Sequence, residues 1–153
     1  MSNYATTLSI KTDLEAEFLG YTKTLAIAVA DGLIDDMPVD TGEARSNVFI
    51  FASADSKARV GAYSPFPKGS GPNKSEGANR TAAKTQARRS AELIKPFEDV
   101  FIVNNAVSED GSYYYAGDLD EGSSRQTPAG MTDRAIVMGI KKADLLWGLR
   151  RER

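Results

Sequence analysis

The 153-residue sequence contains neither cysteine nor histidine. The absence of cysteine excludes disulfides, thiolate metal sites and cysteine nucleophiles. Without histidine, the commonest general base and the commonest zinc ligand are also missing. No hydrophobic run approaches the roughly 18 apolar residues of a membrane-spanning helix, and the polar N-terminus lacks the apolar core of a signal peptide. We therefore expect a protein of a cytoplasm-like compartment that is not an enzyme and uses no cofactor.

The rest of the composition is that of an ordinary globular chain, with 41% hydrophobic and 26% charged residues. At this length, folding buries roughly two-thirds of the surface of the unfolded chain, which suffices for one core without covalent cross-links. No internal repeat divides the sequence. We therefore predict a single domain over residues 1–153.

Charge is distributed unevenly, although the net charge of the chain is only −2. Residues 1–56 carry a net charge of −6, residues 57–95 carry +7 and residues 96–153 carry −3. Such asymmetry concerns binding partners rather than fold. The basic segment predicts contact with an acidic protein surface, including that of another copy, and the alternative is contact with nucleic-acid phosphates. The candidate contact residues are Lys68, Lys74, Lys84, Arg88, Arg89, Lys95 and the tyrosines Tyr113 and Tyr114.

The first third of the chain predicts one long helix. Residues 12–36 repeat apolar side chains at intervals of three and four, which is typical of an amphipathic helix. Thr12 and Glu15 form a capping-box pattern at its expected beginning. Pro38 disfavours helical backbone at Met37, so we expect the helix to end there.

A small sheet is predicted next. Residues 46–54 are rich in β-branched and aromatic side chains and predict a strand, and a two-residue turn leads into a second strand over residues 57–63. Residues 97–104 contain a Val-Phe-Ile-Val run that predicts a central strand. The sheet is therefore expected to be mainly antiparallel, with about three strands.

The remaining segments complete an α+β fold, in which the long N-terminal helix packs on the sheet. Residues 64–80, rich in proline, glycine and serine, predict a long flexible loop of basic character. Residues 81–94 predict a second helix that ends before Pro96. Thr127 and Pro128 form a helix-start pattern for a C-terminal helix. Its apolar stripe is expected to contain Ile136, Ile140, Ala143 and Trp147, and residues 150–153 are expected to fray.

Two motifs have the residue types of tight backbone turns. In the first, Pro38 stops a helix, Asp40 can cap the turn, and Gly42 permits a positive φ before the strand. In the second, Gly122 lies in a turn that leads to the Thr127-Pro128 helix start. We assign an architectural role to Pro38, Asp40, Thr41, Gly42, Ser46, Tyr115, Glu121, Gly122, Pro128 and Gly130.

The tightest carboxylate cluster is Asp118, Asp120 and Glu121. An acid/base pair or a divalent metal site would use such groups, but this segment lacks the further oxygen ligands of a calcium loop. The serines have no histidine to activate them, and the glycines of residues 69–77 are not followed by the lysine of a phosphate-binding loop. A metal-dependent hydrolase is therefore the least favoured alternative. We expect a solvated or partner-facing acidic loop.

Both motifs resemble those of the neck or tail-completion proteins of long-tailed bacteriophages. That family typically shows a Pro-Val-Asp-Thr-Gly block ending in a serine, and nearer the C-terminus a second block ending in Gly-Met. The acidic insert 109–112 and the acids beside Leu119 depart from the pattern, and the loop 64–80 lies outside it. The first motif is residues 37–46, and all of it matches the family pattern. The second motif spans residues 115–131. Its matching stretches are Tyr115-Ala116, Leu119, Glu121-Gly122-Ser123-Ser124 and Gln126-Thr127-Pro128-Ala129-Gly130-Met131.

The resemblance implies a ring-forming structural subunit of the virion neck, made in the cytoplasm of the bacterial host, which helps to join tail to head. Its implied partners are copies of itself and neighbouring neck, head-closure and tail-terminator or tail-tube proteins. DNA would pass through the lumen of the ring with at most non-specific contact, and no membrane is involved.

Overall fold

The structure, a computed structural model, describes residues 3–38, 41–63, 65, 75–108, 110–124 and 126–151. Over these residues the chain forms five helices and one two-stranded sheet. The elements in order are α1 (Asn3–Asp36), α2 (Glu43–Ser46), β1 (Val48–Phe51), α3 (Ser75–Ala91), β2 (Phe101–Asn104), α4 (Ala116–Asp120) and α5 (Met131–Arg151).

Helix α1 begins nine residues earlier than the capping-box pattern predicted. It starts at Asn3, so Thr12 and Glu15 lie inside the helix and not in its first turn. The residues before Thr12 include no proline or glycine, and extending an existing helix costs far less than nucleating one. The predicted end is confirmed, because the helix stops at Asp36, two residues before Pro38.

The core lies between α1, α3 and the inner face of β1. Both helices contribute alanines at four-residue intervals, and these short side chains allow the two helices to approach closely. The hydroxyl of Ser90 in α3 accepts the backbone N–H of Ile50 at 3.0 Å and so fixes α3 against the strand. The principal core residues are Ala26, Ala30, Ile34, Met37, Val48, Ile50, Ala83, Ala87 and Ala91.

Strands β1 and β2 pair antiparallel, with Val48 opposite Asn104 and Phe51 opposite Phe101. The predicted third strand, over residues 57–63, is wrong. The Asn47 side chain exchanges two hydrogen bonds with the backbone of Val60, at 2.9 Å each. The Asn105 amide donates to the carbonyls of Ser56 and Ala58. These side-chain amides thus bind the backbone N–H and C=O groups that residues 57–63 would need for pairing with a neighbouring strand.

Helix α3 begins at Ser75 rather than at residue 81, so the last six residues of the predicted loop 64–80 are helical. Residues 64 and 66–74, including Lys68 and Lys74, lie outside the described residues. The helix ends at Ala91, where the N–H of Ile94 bonds to the carbonyl of Ala91 and closes a tight final turn. The predicted end at residue 94 was therefore three residues too late.

Helix α5 packs antiparallel against α1 through small residues. Ala135 meets Gly32, and Gly139 lies against the backbone of Val29. The predicted stripe was partly wrong, because Ile136 and Ile140 are exposed while Ala135 and Gly139 face α1. Gly32 and Gly139 lie where the two helices approach closely. The helix starts at Met131 and continues through Arg150 to Arg151, and the fraying expected over residues 150–153 stays a prediction.

Residues 107–122 contain the short helix α4 and an isolated bridge between Val107 and Tyr114. The α+β class is confirmed, with the long helix α1 packed between α5 on one side and α3 with the sheet on the other. None of the helices over the described residues is both long and apolar enough to cross a membrane.

Candidate functional site

Both sequence motifs meet at the C-terminal end of α1. From the first motif, the buried guanidinium of Arg45 donates to the carbonyl of Met37 at 3.1 Å. From the second motif, the Thr127 hydroxyl donates to the carbonyl of Asp36 at 2.6 Å. The last carbonyls of a helix have no partner within it and carry partial negative charge. Two motifs separated by about 70 residues therefore close the same helix end.

Arg45 is the largest fully buried side chain of the described residues. Burial is the main cause that lowers the pKa of Arg45 below its ordinary value, the nearby charge of Arg80 adds to this effect, and Glu76, 3.4 Å away, opposes it. A buried guanidinium is tolerated only where its donors find acceptors. The Met37 carbonyl and the Glu76 carboxylate supply two of them.

Gly42 has the positive φ that the sequence predicted, with φ 85° and ψ 0°. A Cβ atom at this position would lie only 2.6 Å from the amide nitrogen of Asn79. The Thr41 hydroxyl accepts the N–H of Glu43 at 3.4 Å, and Asp40, the expected cap, lies outside the described residues. Glycine is required here both by backbone conformation and by the close approach of Asn79.

Asn79 joins three segments of the chain. Its buried amide nitrogen donates to the Gly42 carbonyl at 3.2 Å, to the Ser46 hydroxyl at 3.0 Å and to the Tyr63 carbonyl. The Ser46 hydroxyl in turn donates to Gly42 and accepts the N–H of Tyr63. Since an amide group has two hydrogens, three acceptors share them. The first motif is thereby held against α3 and the segment before the predicted loop.

In the second motif, Asp120 caps helix α5. One carboxylate oxygen accepts the N–H of Thr132, in the first turn of α5, at 2.7 Å, and the Asp120 carbonyl accepts the N–H of Gly130. Gly122 and Gly130 both have positive φ and shape the turn between them. The predicted cap at Thr127 is wrong, because that hydroxyl serves α1. Asp120, expected in a solvated or partner-facing loop, has a structural partner.

Replacing Asp120 with alanine is expected to lower the free energy of unfolding by about 1 kcal/mol, the usual loss when a helix N-cap is removed. Urea denaturation followed by circular dichroism measures this difference. Asp118→Ala is the matched control, because Asp118 is exposed in α4, and it should change stability by no more than about 0.5 kcal/mol. Equal losses in the two variants would contradict the capping role.

The remaining acids of this region do not build a metal site. Asp118 and Glu121 are exposed, and nowhere in the described ranges do three or more carboxylates group so that they could hold a metal ion. In the neighbouring insert, hydrogen bonds from the hydroxyls of Ser108 and Ser112 lower the pKa of Asp110 from 3.8 to about 2. That carboxylate organises its own exposed loop.

A cleft of about 570 Å³ separates the two motifs. One wall comes from the first motif, and the other from the segment that contains Tyr113 and the second motif. Tyr113 and Tyr114 are each more than half exposed, while Tyr115 is half-buried in the cleft wall. The main lining residues of the cleft are Pro38, Thr41, Gly42, Glu43, Tyr113, Tyr115, Leu119, Ser124 and Gln126.

The basic segment largely pairs with acids of the same chain. Lys84 lies 2.7 Å from Asp35, and Arg88 lies 2.5 Å from the buried Asp31. Arg59 pairs with Glu43 and Arg80 with Glu76, each at 2.5 Å. The opposite charges of residues 1–56 and 57–95 are thus matched in part within the monomer. The predicted intermolecular contact stays a prediction for all of its candidate residues, among which Arg89, Lys95, Tyr113 and Tyr114 are exposed.

Comparison with family models, curated proteins and solved structures finds no match to this chain. The interpretation of the site therefore depends on its own geometry. Sequence reasoning missed Arg45, Asn79 and Asp120 as structural residues. Two features of the sequence could have indicated such contacts. One is an arginine inside a turn motif, and the other is an asparagine or aspartate next to a predicted helix or strand, because these side chains form hydrogen bonds with nearby backbone groups.

Proposed function

We propose that this chain is a structural subunit of the neck of a long-tailed bacteriophage, a ring-forming tail-completion protein that helps to join tail to head. The observation that carries the proposal is the meeting of both motifs at one end of α1. The same two motifs carry the resemblance to that family. Arg45, Thr127 and Asp120 all bind backbone groups, which suits a scaffold more than a catalyst.

Exposed apolar surface on α5 supports a role in assembly. Contiguous apolar patches on a monomeric protein rarely exceed a few hundred Å². Helix α5 exposes seven large apolar side chains along its length, more than the scattered single residues of an ordinary surface. They are Ile136, Val137, Met138, Ile140, Leu145, Leu146 and Leu149.

The proposed partners are other copies of the chain and the adjoining head-closure and tail-terminator or tail-tube proteins of the virion. DNA passes through the ring without being read. The alternative, a nucleic-acid-binding accessory protein, would use residues 57–95. The pairing of Arg59, Arg80, Lys84 and Arg88 with carboxylates of the same chain disfavours it, because such pairs leave less positive potential for phosphates.

Deletion of the gene for this chain from its genome tests the proposed function. We expect electron microscopy of the resulting lysate to show filled heads and separate or unfinished tails. Expression of the wild-type chain from a plasmid should restore joined particles. Infectious virions of normal morphology from the deletion strain would contradict the proposal.

A further inference from the structure

A second apolar surface lies at the opposite end of α1 from the two motifs. Leu14 is 62% exposed and Phe97 is 65% exposed. The Phe97 ring stacks on Phe18 with the ring centroids 5.0 Å apart. These three residues form what we call the α1–Phe97 patch. Trp147, near the end of α5, meets α1 at Gly20, two residues after Phe18, and Leu14, Phe18 and Phe97 remain exposed.

The backbone of Phe97 is strained, although its ring remains largely exposed. Its φ is 63°, and it is the only residue other than glycine with a positive φ among those described. For a bulky side chain this conformation costs roughly 1–2 kcal/mol. Yet the strain holds the ring in a largely exposed position against Phe18. Strain of this kind commonly marks a binding site.

The outer face of α5 has matching chemistry. Met138 and Leu145 lie seven residues apart on this helix, and they are 63% and 65% exposed. Leu149 extends the same stripe by one further turn, so the row runs along the helix like one edge of a helix–helix seam. We call these three residues the α5 face.

Charges around the two surfaces are complementary. The exposed acids Asp13 and Glu17 lie beside Leu14 and Phe18 on α1. Lys141 is exposed on α5, three residues after Met138 and four before Leu145, and so lies beside the stripe. Charges of opposite sign at the rim of an apolar contact favour the correct partner and disfavour contact between two like surfaces.

We propose that the α5 face of one copy binds the α1–Phe97 patch of the next copy. The two surfaces differ, so the contact is heterologous, and repeated contacts of this type close into a ring when the rotation between copies allows it. The inference rests on the proposed function only for the existence of a ring of copies.

Disulfide cross-linking tests this contact cleanly, because the chain has no cysteine. Two single variants of the full chain, Leu14→Cys and Met138→Cys, are purified, mixed and oxidised. Within one chain these positions cannot be bridged. Met138 adjoins Gly139, which faces Val29, and that point lies about 22 Å along α1 from Leu14, whereas a disulfide needs Cα atoms within about 7 Å.

We expect a covalent dimer in the mixture and none with either variant alone. A cross-linked dimer from Met138→Cys alone would show that the α5 face binds its own copy, and would overturn the proposal. A mixture without any cross-link would also overturn it, and would leave a different protein as the occupant of the α5 face.

Charge variants give a second measurement, in which the molar mass of the full chain is determined by sedimentation equilibrium. The wild-type chain should assemble, whereas Met138→Glu/Leu145→Glu and Leu14→Glu/Phe18→Glu should each be monomeric. Their equimolar mixture should form heterodimers, since one intact surface remains on each. Ala52→Glu/Ala54→Glu, two exposed positions after β1, adds the same charge and should assemble like the wild type.

The two proposals fail in different ways. Normal virions from the deletion strain, together with a correct cross-link, would contradict the proposed function alone. Unjoined tails in that strain, with assembly unaffected by the charge variants, would contradict this contact alone.

Discussion

The Gly42→Ala variant is expected to lose about 2–5 kcal/mol of unfolding free energy, because a strained backbone and a broken hydrogen-bond cluster add together. Alanine disfavours the φ of 85° at this position. Its Cβ would lie 2.6 Å from the amide nitrogen of Asn79. Asn79 must then move away from the Gly42 carbonyl and the Ser46 hydroxyl, which leaves buried polar groups without partners. Urea denaturation followed by circular dichroism gives the difference.

Gly111→Ala separates the two causes. Gly111 also has a positive φ, of 73°, but a Cβ atom there would meet nothing within 4 Å. This variant should therefore lose only the backbone part, about 1–2 kcal/mol. If Gly42→Ala is no less stable than Gly111→Ala, Asn79 does not hold the first motif in the way described.

The Gly139→Ala variant is expected to be less stable than the wild type by up to about 2 kcal/mol, against the sign that helix propensity predicts. Alanine in a helix interior is favoured over glycine by about 1 kcal/mol. However, a Cβ at this position would lie 2.9 Å from both the backbone nitrogen and the Cα of Val29. Backbone cannot yield as a flexible side chain does, so α1 and α5 must separate, and overpacking of this kind costs about 1–3 kcal/mol and occasionally more.

Gly148→Ala in the same helix is the matched control. A Cβ atom there would meet nothing within 4 Å, so this variant should gain up to about 1 kcal/mol. Thermal melting of both variants checks the pair, with Gly139→Ala expected below the wild type and Gly148→Ala at or above it. If both variants melt at a higher temperature than the wild type, the close packing of α1 and α5 is contradicted.

Local backbone chemistry was predictable from the sequence. Proline has no N–H and restricts the residue before it, so the end of α1 before Pro38 followed directly. The positive φ of Gly42 followed from its place between a helix and a strand. In both cases the main physical cause acts over a few residues.

Features that depend on distant partners were not predictable. The alternating pattern of residues 57–63 suits a strand, but Asn47 and Asn105 take its backbone groups. Ile136 and Ile140 fit a helical stripe, but small residues at Ala135 and Gly139 decide which side of α5 meets α1. Hydrophobicity alone ranks large side chains first, whereas close packing of two helices selects the small ones.

The charge pattern of the sequence also did not show which charges would meet in the folded chain. The sequence showed a basic segment and an acidic one, and an intermolecular contact was one way to match them. The fold brings Arg88 to Asp31 and Lys84 to Asp35 within one chain. A charged segment of the sequence therefore indicates a binding partner only through those charges that are not already paired with opposite charges inside the folded chain.

The closure of α1 by the second motif has a consequence for the order of events during synthesis. Asp36 and Arg134, whose side chains pair at 3.0 Å, are 98 residues apart. At a translation rate of about 5–20 residues per second, roughly 5–20 s pass between their emergence. During that interval α1 has neither its cap from Thr127 nor its cover from α5. A nascent chain thus displays the small-residue groove around Gly32 to its neighbours on a polysome, and exchange of α5 between chains is the assembly error that this topology invites.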